Sequence, residues 1–207
     1  GGKKYLIGKM PKVVPEYKEQ ATQRILDAAQ KVFSEKGYHE ARMEDIAEKV
    51  GVSKRTLYLY FKNKEELFAA ICAVAPQAMQ KYLQATLGNV SFNEMCRVFF
   101  DHVLEEPVTG LNYEIISAAS RNPGLKKTIK ELYEKENEIL ADFLENLKKK
   151  GGLQKNTDTS VLARSIIALY DGLVANLVIG VDKSDVRKAW LAATTSLVNE
   201  TPYKTLK

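Results

Sequence analysis

The sequence predicts an all-α protein in two unequal parts, a small N-terminal head and a larger helical body. Three observations carry this. Apolar side chains return at helical spacing along almost the whole chain. Glycine and proline interrupt that pattern where helices would end. No segment alternates apolar with polar as a half-buried strand would, and the pair Asp171-Gly172 falls inside a helical period rather than at a hairpin turn.

The first helix is expected from about Pro15 to Lys36, with Ile25, Leu26, Ala29, Val32 and Phe33 on one face and Gly37 as its C-terminal stop. A short second helix, Met43 to Val50, turns Ile46, Ala47 and Val50 inward and breaks at Gly51. Ser53 caps a third, Lys54 to Tyr60. Asn63 caps a fourth, whose first turn holds Glu65 and Glu66, where the helix dipole favours acids. Pro76 should kink or split that fourth helix, because proline removes a ladder donor and crowds the preceding turn. After a break at Gly88-Asn89, Ser91 caps an aromatic segment that ends near Pro107 and Gly110. Tyr113 to Ser120, then Asn122-Pro123 to about Lys150, Thr159 to Val181 and Asp185 to Asn199 complete the helices. The expected division is a basic extension 1–16, a head 17–68, a body 69–200 and a tail 201–207. Gly1-Gly2 reads as a tag remnant, with Met10 then the native start.

Charge is unevenly placed. Residues 1–65 hold 14 Lys and Arg against 9 Asp and Glu, whereas residues 66–207 hold 17 of each. The whole net charge of +5 thus sits in the first third, which suits an end that meets a polyanion. No uninterrupted apolar run of about 18 residues occurs, so no membrane span is expected. With no secretory signal either, a cytoplasmic protein is expected. Cys72, Cys96, His39 and His102 lack metal-ligand spacing, and no nucleophile motif or phosphate loop is present. No metal, cofactor or enzymatic activity is expected.

Glu44 to Phe61 carries the functional signal. Two short helices flank a three-residue turn, Gly51-Val52-Ser53, in which glycine takes the left-handed conformation. Ile46, Ala47, Val52, Leu57 and Phe61 pack inward. Lys54, Arg55, Thr56, Tyr58 and Tyr60 remain for the outer face, with Lys62 and Lys64 at the exit. Such a face fits the major groove of double-stranded DNA. Lys and Arg donate to guanine O6 and N7, Thr and Tyr touch thymine methyls, and hydroxyls and helix N-termini take phosphate.

The run Met43-Glu44-Asp45-Ile46-Ala47 through Ser53-Lys54-Arg55-Thr56-Leu57-Tyr58 to Lys64-Glu65-Glu66-Leu67 resembles the DNA-binding domain of the TetR family of transcriptional regulators. Ile25-Leu26-Asp27-Ala28-Ala29 and Phe33-Ser34-Glu35-Lys36-Gly37-Tyr38 fit the same family. The resemblance covers about residues 20–70. It implies that Lys54, Arg55 and Thr56 read bases, that Tyr58 and Tyr60 contact phosphate or base edges, and that Lys64 grips phosphate. It departs at Arg42-Met43, where the family usually has a capping Ser or Thr. Arg42 would replace that hydroxyl contact with a charged one. Lys9, Lys12 and Lys18 are candidates for further phosphate or minor-groove contacts.

For the body, the resemblance implies a ligand-binding and dimerising helical domain. Phe99, Phe100, Val103, Tyr113, Ile116, Tyr133, Phe143 and Tyr170 are the candidate lining of a cavity for a small apolar or amphipathic effector, lipid-like or acyl. Glu114 would suit a cationic ligand, and Arg97 or Arg121 an anionic one. Ile166, Leu173, Leu177, Trp190, Ala193 and Leu197 are the candidate homodimer interface. The expected function is a repressor released from a palindromic operator when effector shifts the segment Met79 to Leu87. The competing reading is a helical binding or scaffold protein with a non-functional head.

Overall fold

The computed structural model describes residues 15–87, 90–105 and 110–199. Among them lie nine α-helices and no strand: α1 Pro15–Lys36, α2 Met43–Val50, α3 Lys54–Tyr60, α4 Lys64–Leu87, α5 Phe92–Glu105, α6 Leu111–Ala119, α7 Pro123–Lys149, α8 Thr159–Val178 and α9 Lys183–Asn199. The extension with Lys9 and Lys12, the expected breaks at Gly88-Asn89 and Pro107, and the tail 201–207 lie outside the described residues.

Helix boundaries follow from local chemistry. Gly37 and Gly51 both adopt left-handed φ of 81° and close α1 and α2. Ser53 Oγ accepts from Thr56 N–H, Asn122 Oδ1 from Leu125 N–H, and Asp158 Oδ1 from Ser160 and Val161 N–H. The entry to α2 is half capped. Asp45 Oδ2 accepts from Arg42 N–H at 3.0 Å, while the Arg42 guanidinium has no lone pair with which to accept in return. α4 runs through Pro76, so the expected split does not occur. Pro76 is buried there, and the helix continues across one missing donor.

Two apolar clusters organise the chain. One joins Ile25, Val32, Phe33, Ile46, Leu57 and Leu67 of the head to Ile115, Ala119 and Leu125 of α6 and α7. The head therefore shares its core with the body, and α4 passes unbroken through the expected boundary at Phe68. The other centres on Trp190, which stacks on Phe100 with ring centroids 4.8 Å apart and donates its Nε1–H to the Cys96 carbonyl at 2.8 Å. Arg187 of α9 grips Asp101 of α5 through both carboxylate oxygens beside this core. By length and composition, α8 is apolar enough to cross a membrane. Arg164 and Asp171 interrupt it, and its Leu162, Ala163, Ile166 and Val174 are buried in the protein core.

Candidate functional site

The outer face of α3 is solvent-exposed along its length. Leu57 points into the head core and Phe61 follows it, which turns Lys54, Arg55 and Tyr58 outward. Arg55 has no ion-pair partner among the described residues. Lys54 is engaged: its ammonium pairs with Glu44 of α2 and lies 5.8 Å from the centre of the Tyr58 ring. The hydrogen bond from Lys54 holds the Glu44 carboxyl below its ordinary range and raises the Lys54 ammonium in turn. Thr56 is half-buried, with its hydroxyl 2.8 Å from Ser53 Oγ. Tyr60 is half-buried against the head core rather than fully outward. Arg42 is exposed. Leu59, which the sequence reading passed over, is 78% exposed between the two tyrosines. Its position could have been read, since two residues beyond Leu57 on a helix is about 200° around the axis.

Lys64 corrects the expectation of a phosphate grip. Its ammonium donates to the carbonyls of Tyr38, His39 and Ala41 at 2.6, 3.0 and 3.0 Å, and sits 4.7 Å from the Tyr38 ring centre. An ammonium has three donors, and here all three are used inside the protein. Burial lowers its pKa. Lys64 is a staple that holds the α1–α2 turn onto α4.

The same turn is held from its other side by the body. Glu114 of α6 accepts from Tyr38 N–H at 2.8 Å. A Cβ on Gly37 would stand 2.6 Å from the nearer Glu114 oxygen and push the carboxylate off this contact, and the φ of 81° at Gly37 favours glycine independently. The cationic-ligand reading of Glu114 does not apply, because its carboxylate is spent on a head–body contact. Arg97 pairs with Glu94 and Asp101, and Arg121 donates to Ser117 Oγ.

A cavity of about 300 Å³ lies between α4, α5, α6, α7, α8 and α9. Of the expected lining, Phe99, Ile116, Tyr133 and Tyr170 are present. Phe100 is not, because it is wholly buried on Trp190. Val103 is half-buried elsewhere, Phe143 faces a separate polar groove with Gln80 and Asp142, and Tyr113 is one step removed, donating its hydroxyl to the Asp171 carbonyl at 2.7 Å. Two acids missed from the lining are Glu136 and Asp171. Tyr133 donates its hydroxyl to Asp171 Oδ2 at 2.9 Å. Burial, and then the charge of Asp171, push the Glu136 carboxyl up to about 7; burial raises Asp171 as well, against the Tyr133 hydrogen bond that lowers it. Of the expected dimer residues, Ile166 and Trp190 are withdrawn into the protein's own core, whereas Leu173, Leu177 and Ala193 are half-buried and Leu197 is exposed.

Residues 25–71 match the family model described as bacterial regulatory proteins, tetR family. Residues 92–201, more than half of the chain, match the BetI-type transcriptional repressor C-terminal model. The chain belongs to the TetR family. Its helix-turn-helix is a DNA-binding head, and the protein is a transcriptional regulator. The HTH-type transcriptional regulator UidR of Escherichia coli is 26% identical over 163 residues, covering 74% of this chain and 80% of UidR. The fatty acid metabolism regulator protein of Bacillus subtilis is 26% identical over 170 residues, covering 79% of this chain and 86% of that protein. The Salmonella enterica GusR structure has the same fold, with a TM-score of 0.72 at 22% identity over 90% of this chain and 98% of GusR.

Proposed function

We propose that this regulator is a cytoplasmic homodimeric repressor that leaves a palindromic operator when a small, largely apolar effector enters the body cavity. The observation that carries this reading is α6. One end of its sequence lines the cavity through Asn112, Ile115 and Ile116, while Glu114 between them holds the head at Tyr38. Any effector that displaces α6 therefore acts on the turn that positions α2 and α3. Coupling of two sites through one shared element is what ligand-controlled DNA release requires.

In this reading residues 17–68 form the DNA-binding unit and 69–200 the effector and dimer unit. Arg55, Lys54 and Thr56 read bases, with Lys54 exchanging Glu44 for DNA. Tyr58, Tyr60 and Arg42 meet the backbone. Leu173, Leu177, Ala193 and Leu197, with exposed Val178 beside them, form a two-fold helical interface. A two-fold pair sets the recognition helices about one DNA turn apart, about 34–36 Å. Pro76 gives in α4 between the head and Met79–Leu87. The name of the Bacillus subtilis relative supports a lipid-like effector.

Selection from a random DNA pool, followed by gel shift, tests the reading. An inverted repeat with half-sites one turn apart is expected, and no specific sequence at low salt would overturn it. Arg55→Ala should cost about 1–3 kcal/mol and relax one base position, whereas Tyr58→Phe should weaken all sequences alike. Equal losses on random DNA from both would refute that division. Unchanged effector-dependent release in Pro76→Ala would remove the hinge.

A further inference from the structure

We propose that the body cavity is a site for an amphipathic organic cation, a protonated amine with an apolar or aromatic tail, whose charged nitrogen sits at Glu136 and Asp171. The inference rests on the effector reading above and narrows its chemistry.

Glu136 of α7 and Asp171 of α8 both line the cavity, and no Lys, Arg or His does so among the described residues. Among the described residues the Asp171 carboxylate receives one hydrogen bond, from Tyr133, and Glu136 has neither an ion pair nor a side-chain hydrogen bond. Two acids facing one apolar cavity without a cation repel each other and each bears a desolvation penalty. Asp171 is one of two charged residues in the largely apolar α8, and Glu136 stands one turn from the cavity-lining Tyr133 and Leu140. A single positive charge between them relieves both penalties. A carboxylate or phosphate ligand would add a third negative charge in the same low-dielectric space.

The rest of the wall matches. Phe99, Tyr170 and Trp190 form a linked aromatic group, with Phe99 centred 5.5 Å from Tyr170 and 6.1 Å from Trp190. Aromatic faces receive an apolar tail and add attraction for a cation. Ile115, Ile129 and Leu140 add apolar wall. A free carboxylate at Glu136 and Asp171 is therefore the disfavoured charge type, whereas a neutral apolar tail is not.

Trp190 is the one tryptophan of the chain and lines the cavity, so its fluorescence reports occupancy directly. The probes are 4-phenylbutylamine, 4-phenylbutan-1-ol and 4-phenylbutanoate, which share a tail and differ in charge. The amine should bind at least about tenfold tighter than the alcohol, a difference of about 1.4 kcal/mol, and the carboxylate weakest. Glu136→Gln and Asp171→Asn should each weaken the amine several-fold and leave the alcohol unchanged or tighter. Retained alcohol binding shows that the variants are folded. Equal or tighter binding of the carboxylate, no amine binding at millimolar concentration, or an amine affinity indifferent to both substitutions overturns the proposal. Gel shift with the selected operator separates the two readings: amine binding without DNA release sinks the effector mechanism and leaves the cation site standing.

Discussion

Replacing Lys64 by methionine separates two roles that the sequence cannot distinguish. Methionine keeps the apolar stem and removes the ammonium. The structure then loses three charge-assisted hydrogen bonds to the carbonyls of Tyr38, His39 and Ala41, and the cation over the Tyr38 ring. Each bond to a charged group contributes roughly 1.5–3 kcal/mol when the acceptor is left dry. Lys64 is only half-buried, so water recovers much of this at the freed carbonyls, and a net loss of about 2 kcal/mol is expected. For a chain of this size that lowers Tm by roughly 4–8 °C. The companion assay is operator affinity as a function of salt. A lysine that neutralised phosphate would contribute about 0.9 to the slope of log K against log salt. A staple contributes nothing to that slope, even if loosening the α1–α2 turn weakens binding overall. Unchanged Tm together with a slope shallower by about 0.9 per contact would refute the staple.

Three further outcomes are expected. Glu114→Ala should destabilise by about 1–3 kcal/mol by leaving Tyr38 N–H unpaired, and should blunt effector-dependent release; wild-type coupling in the variant would exclude the α6 contact as the link. Glu136 binds its proton more tightly folded than unfolded, so its contribution to stability is full below about pH 4.5 and is lost as pH rises to about 7. That shift is worth at most about 3–4 kcal/mol, and urea melts of Glu136→Gln should show a correspondingly flatter pH profile; a profile identical to wild type would contradict it. Trp190→Phe should cost about 1–2 kcal/mol in chemical denaturation, since the ring stack on Phe100 persists but the bond to the Cys96 carbonyl does not; an unchanged midpoint would refute that bond's contribution.

The helices were legible because their apolar periods and caps are local signals: Ser53, Asn122 and Asp158 each cap the helix they precede. The outer face of α3 was legible for the same reason, since Leu57 and Phe61 fix its rotation. What failed was whatever depends on partners distant in sequence. A lysine at a helix start looks the same whether phosphate or the carbonyls of residues 38–41 receive it. Phe99 and Phe100 are adjacent aromatics about 100° apart on α5, and only tertiary packing decides that one lines the cavity while the other is buried on Trp190. An apolar stripe on α9 does not say whether it meets its own chain or a second one, which is why Trp190 was assigned to the wrong surface. Glu136 lies in a strongly charged stretch, Glu134 to Glu138, and only its phase relative to Tyr133 and Leu140 marks it as inward. Pro76 does not split α4 because its cost is set against the packing of a 24-residue helix.

The uninterrupted course of α4 also sets its leverage. Twelve residues separate Lys64 from Pro76, a rigid arm of about 18 Å at the ordinary helical rise. A bend of about 10° at Pro76 would sweep the Lys64 end through about 3 Å, close to the axial rise of one DNA base pair, about 3.4 Å. Lys64 is fastened to the turn that carries α2 and α3, so that displacement would reach the reading face without any rearrangement inside the head. In the proposed mechanism, a small volume change in the cavity, felt through Met79 and Leu83 beyond Pro76, would be converted into a step large enough to put a recognition helix out of register with its groove.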